Sequence, residues 1–277
     1  PDLQSWHVES HNDPFWFIGG AQALSFICQH QIKSEKSSPL VLLLPDYFCG
    51  QSLRFVRKMP ITLIFYPLTD DFLPDYAEID LICSDNKIDL FLHVHYFGRV
   101  LQQEKSRNLC DRVGAKLIED CAHTMGAKWG DKRSGNFGLA GCFSTQTYKH
   151  LNSGEGGLLT SNDAEFMARA IILSGSYMLY ERHGAAPDKE VFSEIRLQTP
   201  NYSGRMDNLR AAILRPQLKS LEKNIKRWNE RYQLVEGSLK KIKGVELPDR
   251  PIEESYVGSS IQFRLPGISK ADAARFL

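Results

Sequence analysis

Residues 116–163 read KLIEDCAHTMGAKWGDKRSGNFGLAGCFSTQTYKHLNSGEGGLLTSND. An apolar run, AKLIED (115–120), ends in an acid, Asp120, and a Gly-rich connection follows. A second run, GCFST (141–145), delivers Ser144, and Lys149 comes a few residues later. SGEGG (153–157) then turns the chain into a third run, GLLTS (157–161). The last two runs are close enough to predict a local hairpin around the lysine loop.

The pattern outward from this stretch predicts alternating strands and helices. VLLL (41–44), TLIFY (62–66) and DLFLHV (89–94) read as strands. Helices are expected over 20–32, QSLRFVRK (51–58), EKSRNLCDRV (104–113) and AEFMARAIILS (164–174). Such alternation implies an α/β fold, a mostly parallel central sheet flanked by helices on both faces. Residues 1–18, with Trp6, Phe15, Trp16 and Phe17, read as an aromatic arm packed on the body or on a neighbouring subunit. Residues 175–204 have no period and read as a flexible active-site loop. From Arg205 to about Lys241 a long helix is expected, with a break near Pro216. SSIQFRLP (259–266) reads as a strand, and SKADAARFL as a helix capped at Ser269. The expected division is a large domain over 1–205, then a linking helix and the start of a smaller C-terminal domain, incomplete here, over 206–277.

Composition excludes several classes. With 42% hydrophobic and 24% charged residues the chain is an ordinary globular one, and a net charge of +1 offers no attraction to nucleic acid. The longest apolar runs are strand-sized, so no membrane span is expected, and no secretory signal opens the chain. The six cysteines form no Cys-x-x-Cys pair, which favours reduced thiols in a cytoplasmic core over a disulfide or zinc framework.

An acid and a lysine displayed at neighbouring strand ends are what a pyridoxal phosphate (PLP) site needs. Lys149 would form the Schiff base and then move a proton, which requires an amine partly neutral at working pH. Asp120, at the carboxyl end of a strand, either holds the pyridine nitrogen protonated or caps the next segment. By alternation Glu119 points to the other side of the strand and receives no role. His93 and His95 share one strand face with no third metal ligand nearby, so they read as structural or site-lining. The helix start at Gly20, Ala21 and Gln22 offers amides to a phosphate, and Ser144 a hydroxyl. Tyr47 and Phe48 are the candidates to cover the cofactor ring.

Four elements in order resemble the DegT/DnrJ/EryC1/StrS family of PLP-dependent aminotransferases. They are Ile118 to His123, Gly135-Asn136-Phe137-Gly138, Phe143-Ser144 to Lys149, and Gly154-Glu155-Gly156-Gly157. The turn Gly19 to Leu24, VLLLPDYFC (41–49), His95 to Gly98 and Arg205 to Ala212 extend the resemblance over most of residues 15–240. It implies fold type I, PLP, glutamate as amino donor, and a keto sugar, often nucleotide-linked, as acceptor. It gives His123 a place beside the cofactor's phenolic oxygen, the alternative being a structural histidine. It gives Ser144 a phosphate contact, and Asn201 or Ser203 a contact to a neighbouring subunit's phosphate in a homodimer with shared active sites. The chain departs from the family's pattern in three places. Ala21-Gln22 replace a common hydroxyl, Asn201 stands two residues from the expected place, and the ring-stacking position falls on Cys49. The competing readings are a PLP-dependent sugar dehydratase, whose relatives carry His in place of the lysine, and a non-catalytic regulatory protein on the same fold.

Overall fold

The apolar runs assemble into a seven-stranded sheet in a computed structural model that describes residues 15–17, 20–35, 39–176 and 178–275. In chain order the elements are β1 (Phe15–Phe17), α1 (Gly20–Glu35), β2 (Leu40–Pro45), β3 (Ile61–Tyr66), α2 (Tyr76–Asp85) and β4 (Leu90–Val94). There follow α3 (Gln103–Val113), β5 (Lys116–Asp120), β6 (Lys128–Trp129), β7 (Lys132–Arg133), β8 (Ala140–Ser144) and β9 (Gly157–Thr160). The chain continues with α4 (Ala164–Leu173), α5 (Phe192–Ile195), α6 (Asn208–Leu239), β10 (Glu254–Ser255) and α7 (Lys270–Ala273). The sheet order is β1-β9-β8-β5-β4-β2-β3. Strands β8, β5, β4, β2 and β3 pair in parallel, and β9 runs antiparallel between β8 and β1.

Strand alternation sorts the core onto the two faces. Leu42, Leu44, Leu90, Leu92, Ile118 and Cys142 pack with α1 and α4. Leu43, Phe91 and Leu117 pack on the other face with Ile79 of α2 and Leu109 of α3. Phe143 and Leu158 meet Leu214 and Leu221 of α6. The helices therefore cover both faces of a mostly parallel sheet, the expected α/β architecture.

Three expectations need correction, and one helix was not anticipated. Residues 51–58 form two short 3-10 turns, Gly50–Leu53 and Val56–Lys58, in place of one helix. Gly50 and the Met59-Pro60 end leave too little length for a stable α-helix. Helix α6 runs unbroken through Pro216. The ring removes one backbone bond, and Leu214, Leu218, Leu221 and Ile225 on the buried stripe hold the helix on either side. Residues 259–266 make no strand of their own; Arg264 forms one isolated bridge with Glu246. Helix α2 was not anticipated, although Asp75 caps it by accepting from Ala77 and Glu78 N–H. The arm expected over 1–18 lies largely outside the described residues; its residues 15–17 form β1.

Candidate active site

Three parallel strands end side by side. Register pairs Val94 of β4 with Asp120 of β5, and Asp120 with Cys142 of β8. His95 N–H donates to the Asp120 carbonyl at 3.0 Å, and Cys121 N–H to the Cys142 carbonyl at 2.8 Å. The sheet thus carries its hydrogen bonding to the very end of β5 and fixes where the Asp120 side chain leaves it.

Behind Asp120, on the opposite face, sits a fully buried carboxylate. Glu119 Oε1 accepts from Phe137 N–H at 2.6 Å and Gly138 N–H at 3.0 Å; Oε2 accepts from Gly135 N–H at 2.8 Å and His95 Nε2 at 3.1 Å. His95 Nδ1 accepts from Leu101 N–H at 3.3 Å, which places the ring proton on Nε2, facing Glu119. Four donors satisfy the charge without solvent. The glycines of the loop are required by this embrace: a Cβ on Gly138 would stand 2.3 Å from the Leu117 carbonyl oxygen, and Gly135 has φ of +82°. His95, Glu119 and Cys121 bring three potential metal donors within 4.8 Å of one another, but hydrogen bonds already engage both Glu119 oxygens. Sequence reasoning passed over Glu119. His93 proves structural: its Nδ1 lies 2.5 Å from Ser106 Oγ, which lies 2.7 Å from the Tyr76 hydroxyl.

Asp120, His123 and Lys149 converge on the solvent side of the strand ends. Asp120 Oδ1 accepts from Ala122 N–H at 2.9 Å, and among the described residues no donor occupies Oδ2. Burial lowers the pKa of Lys149, with the negative charge of Asp120 and the Cys49 thiol opposing it. Burial also lowers His123, the Lys149 charge adds to the effect, and Asp120 opposes it. His150 falls to about 4, through burial first and then His123 and Lys149. The result is a cluster of bases that resist protonation around one carboxylate, the condition for a reactive amine.

The lysine rides on a tightly bonded loop between β8 and β9. Lys149 N–H closes a turn on the Gln146 carbonyl at 2.9 Å. Thr145 and Ser153 hydroxyls meet at 2.8 Å. Gln217 of α6 grips Asn152 by both main-chain groups, at 2.9 and 2.7 Å. Gly156 has φ of +152°, and a Cβ there would lie 2.3 Å from Thr145 Oγ1 and 2.8 Å from Met206 Cε. The Gly-Glu-Gly-Gly stretch is therefore a close approach of backbone to side chains as well as a turn.

The remaining candidates are scattered around this centre. Ser144 is half-buried at the end of β8, and its Oγ accepts from Gln146 N–H at 3.3 Å. Gly20, Ala21 and Gln22 are the first residues of α1, where amides lack partners within the helix. Phe48 packs into the main core, whereas Tyr47 is 57% exposed. Cys49 is exposed at the start of the 3-10 turn Gly50–Leu53; burial raises its thiol pKa, but the nearby Ser52 and Gln51 groups outweigh that and lower it. Asn201 and Ser203 are exposed and bond to each other, Ser203 N–H to Asn201 Oδ1 at 2.8 Å, beside Gly175. An aromatic wall was not anticipated. Tyr47, Phe72, Tyr96 and Phe97 pack in series, and Phe97 lies parallel to His123 with centroids 6.4 Å apart. Phe72 and Phe97 both hold positive φ, 59° and 58°, a conformation that side chains seldom adopt without a local reason.

The model of the DegT/DnrJ/EryC1/StrS aminotransferase family matches residues 69–274, spanning both the Asp120 strand and the lysine loop. The chain belongs to this family. It is 33% identical over 150 residues to an L-glutamine:2-deoxy-scyllo-inosose aminotransferase of Micromonospora echinospora, which covers 53% of this chain and 34% of that protein. It is 33% identical over 183 residues to a dTDP-3-amino-3,4,6-trideoxy-alpha-D-glucose transaminase of Micromonospora megalomicea subsp. nigra, covering 65% of this chain and 46% of that one. These matches span less than half of either relative's length. In fold the chain is similar to the E. coli GDP-4-keto-6-deoxy-D-mannose-3-dehydratase with bound hydrated PLP, at TM-score 0.78 and 17% identity over 99% of this chain and 72% of that one.

Proposed function

We propose that this chain carries the catalytic unit of a PLP-dependent aminotransferase that moves an amino group from glutamate to a keto sugar, a nucleotide-linked one by preference. The observation that carries the reading is the convergence of Lys149, Asp120 and His123 at the carboxyl ends of β5 and β8, with the lysine pushed toward its neutral form. The donor set fits the cofactor. Asp120 is anchored through Oδ1 and keeps Oδ2 for a ring N–H; His123 is stacked on Phe97 and offers a ring nitrogen; Lys149 supplies an amine that burial makes less basic than an ordinary lysine. When bound, PLP would supply an electron sink for the transfer. Lys149 would make the covalent link and then carry a proton on Nζ. Asp120 would hold the ring nitrogen protonated, and His123 would stabilise the phenolate. The first amides of α1 and Ser144 would take the phosphate, Tyr47 would flank the ring, and Asn201 or Ser203 would serve the phosphate of a neighbouring copy.

The same reading makes the protein a homodimer with shared sites, working in the cytoplasm. The six free cysteines support a reducing compartment, and no described helix is long and apolar enough to cross a membrane. Residues 206–277 then form the linking helix and belong to a smaller domain. A dehydratase reading is disfavoured by Lys149 itself and by His150, whose ring is tied to Ser259.

The test is chemical. Purified protein should be yellow, and borohydride should fix the cofactor to Lys149 in a peptide map. An adduct on any other lysine removes the assignment.

A further inference from the structure

His150 joins the lysine turn to parts of the chain that lie far away in sequence. Its Nε2 lies 2.7 Å from Ser259 Oγ, and its ring centroid 5.1 Å from that of Trp228 on α6. Ser259 belongs to a segment that is itself held in place. Val257 N–H donates to the Gly98 carbonyl at 3.1 Å, Gly258 N–H to Asn229 Oδ1 at 2.7 Å, and Asn229 Nδ2 to the Tyr256 carbonyl at 3.0 Å. Gly98 in turn follows directly on Phe97, the residue parallel to His123. One segment, 256–259, therefore touches both the residue after Lys149 and the turn that carries the ring against His123. His150 Nδ1 is buried and, among the described residues, has no hydrogen-bond partner.

We propose that His150 is a positioning residue through which the 256–259 segment sets the Lys149 amine against Asp120 and His123. The importance of the device rests on reading Lys149 as the cofactor lysine. The groups that face the amine are Asp120 from β5, Cys49 from the loop after β2, His123 from the loop after β5, and His150 itself. His150 carries no charge near neutrality, because burial holds it at about 4. Its effect on the lysine is therefore exerted through place and shielding. If the tether to Ser259 is cut, the turn gains access to water, and the amine moves back toward ordinary lysine behaviour.

The experiment needs neither cofactor nor turnover. The whole chain is first freed of any bound cofactor with hydroxylamine and dialysed, then acetylated with trace acetic anhydride across a pH series, and the Lys149 peptide is followed by mass spectrometry against the exposed Lys87. Only the neutral amine reacts, and each curve is normalised to its own limit at high pH to remove differences in access. The natural chain is compared with Ser259→Ala, His150→Phe and the double variant. At about pH 8 the normalised Lys149 reactivity should fall about threefold in Ser259→Ala and likewise in His150→Phe, and no further in the double variant. Unchanged reactivity in Ser259→Ala overturns the proposal, and so do two effects that add. Ser259 is exposed, so its variant keeps the fold and decides alone if His150→Phe does not fold. Borohydride fixation on the natural chain is scored separately. Its absence ends the cofactor reading while the acetylation result still decides whether segment and lysine are coupled.

Discussion

Glu119→Gln is expected to cost more than a change of one atom suggests. The carboxylate takes four N–H donors, two on each oxygen. The amide has one oxygen and one NH2 group. With its oxygen toward Phe137 and Gly138, the NH2 group meets Gly135 N–H and His95 Nε2–H head-on. Turning His95 to its other tautomer moves the conflict to Leu101 N–H, which donates to Nδ1. Each bond to a charged group contributes about 1.5–3 kcal/mol, so two lost bonds amount to roughly 3–6 kcal/mol. Removing a buried charge returns part of this. The net loss should be about 3 kcal/mol, a large part of the stability of an ordinary domain, and should lower Tm by about 8 °C. Urea unfolding with and without added PLP is the assay. Cofactor affinity should fall along with stability, because the pinned 135–138 loop lies directly behind Asp120. A loss under about 1 kcal/mol would refute the reasoning, since it would mean that the four donors find other partners at little cost.

Asp120→Asn should keep the cofactor but lower transamination by orders of magnitude, since an amide does not hold a ring nitrogen protonated; stopped-flow half-reactions with glutamate report this, and near-normal turnover would take Asp120 out of the site. Gly156→Ala should destabilise the chain by about 2–4 kcal/mol and loosen the lysine loop, because its Cβ would meet Thr145 and Met206; limited proteolysis between 145 and 157 reads the loosening. His150 has a folded pKa of about 4 against about 6.5 unfolded, so the unfolded chain binds more protons in between, and the contribution is present above 6.5 and lost as pH falls toward 4. Between pH 7 and pH 5 the natural chain should lose about 1–2 kcal/mol more than His150→Phe in urea titrations, and parallel losses would show that His150 is not buried as described. A Lys149→Ala chain mixed with one altered at both Asn201 and Ser203 should regain one intact site per mixed dimer; with subunit exchange confirmed, a mixture as inactive as its parents counts against shared sites.

What could be read from the sequence followed the physics of local signals. The strands of the parallel sheet are continuous apolar runs, and the lysine loop carries glycines at places where only glycine fits, so both were legible. Helix α2 also announced itself, through Asp75 and Glu78 at capping positions, and was missed because its apolar stripe is thin. Glu119 had no local signal. Three of its donors come from a loop 16–19 residues further on and the fourth, His95, lies 24 residues before it, and alternation alone sends it away from the site. The unbroken helix through Pro216 and the absent strand at 259–266 were tertiary outcomes. The first depends on a buried stripe on α6, and the second on there being no neighbouring strand among the described residues for the alternating pattern to join. The aromatic wall needs three separate loops to meet, and no spacing in the chain encodes that.

The small strand β1 has a consequence for how the molecule is made. It is the outermost strand beside β9, pairing Phe15 with Leu159 and Phe17 with Gly157. During synthesis β1 leaves the ribosome early and must wait for β9, while every other partner in the sheet arrives sooner after its neighbour. Until β1 returns, β9 presents an open row of amides and carbonyls flanked by Leu158 and Leu159, a template on which a second nascent chain could add. The pairing of β1 with β9 is thus the most widely separated contact of the sheet along the chain, and the last to become possible.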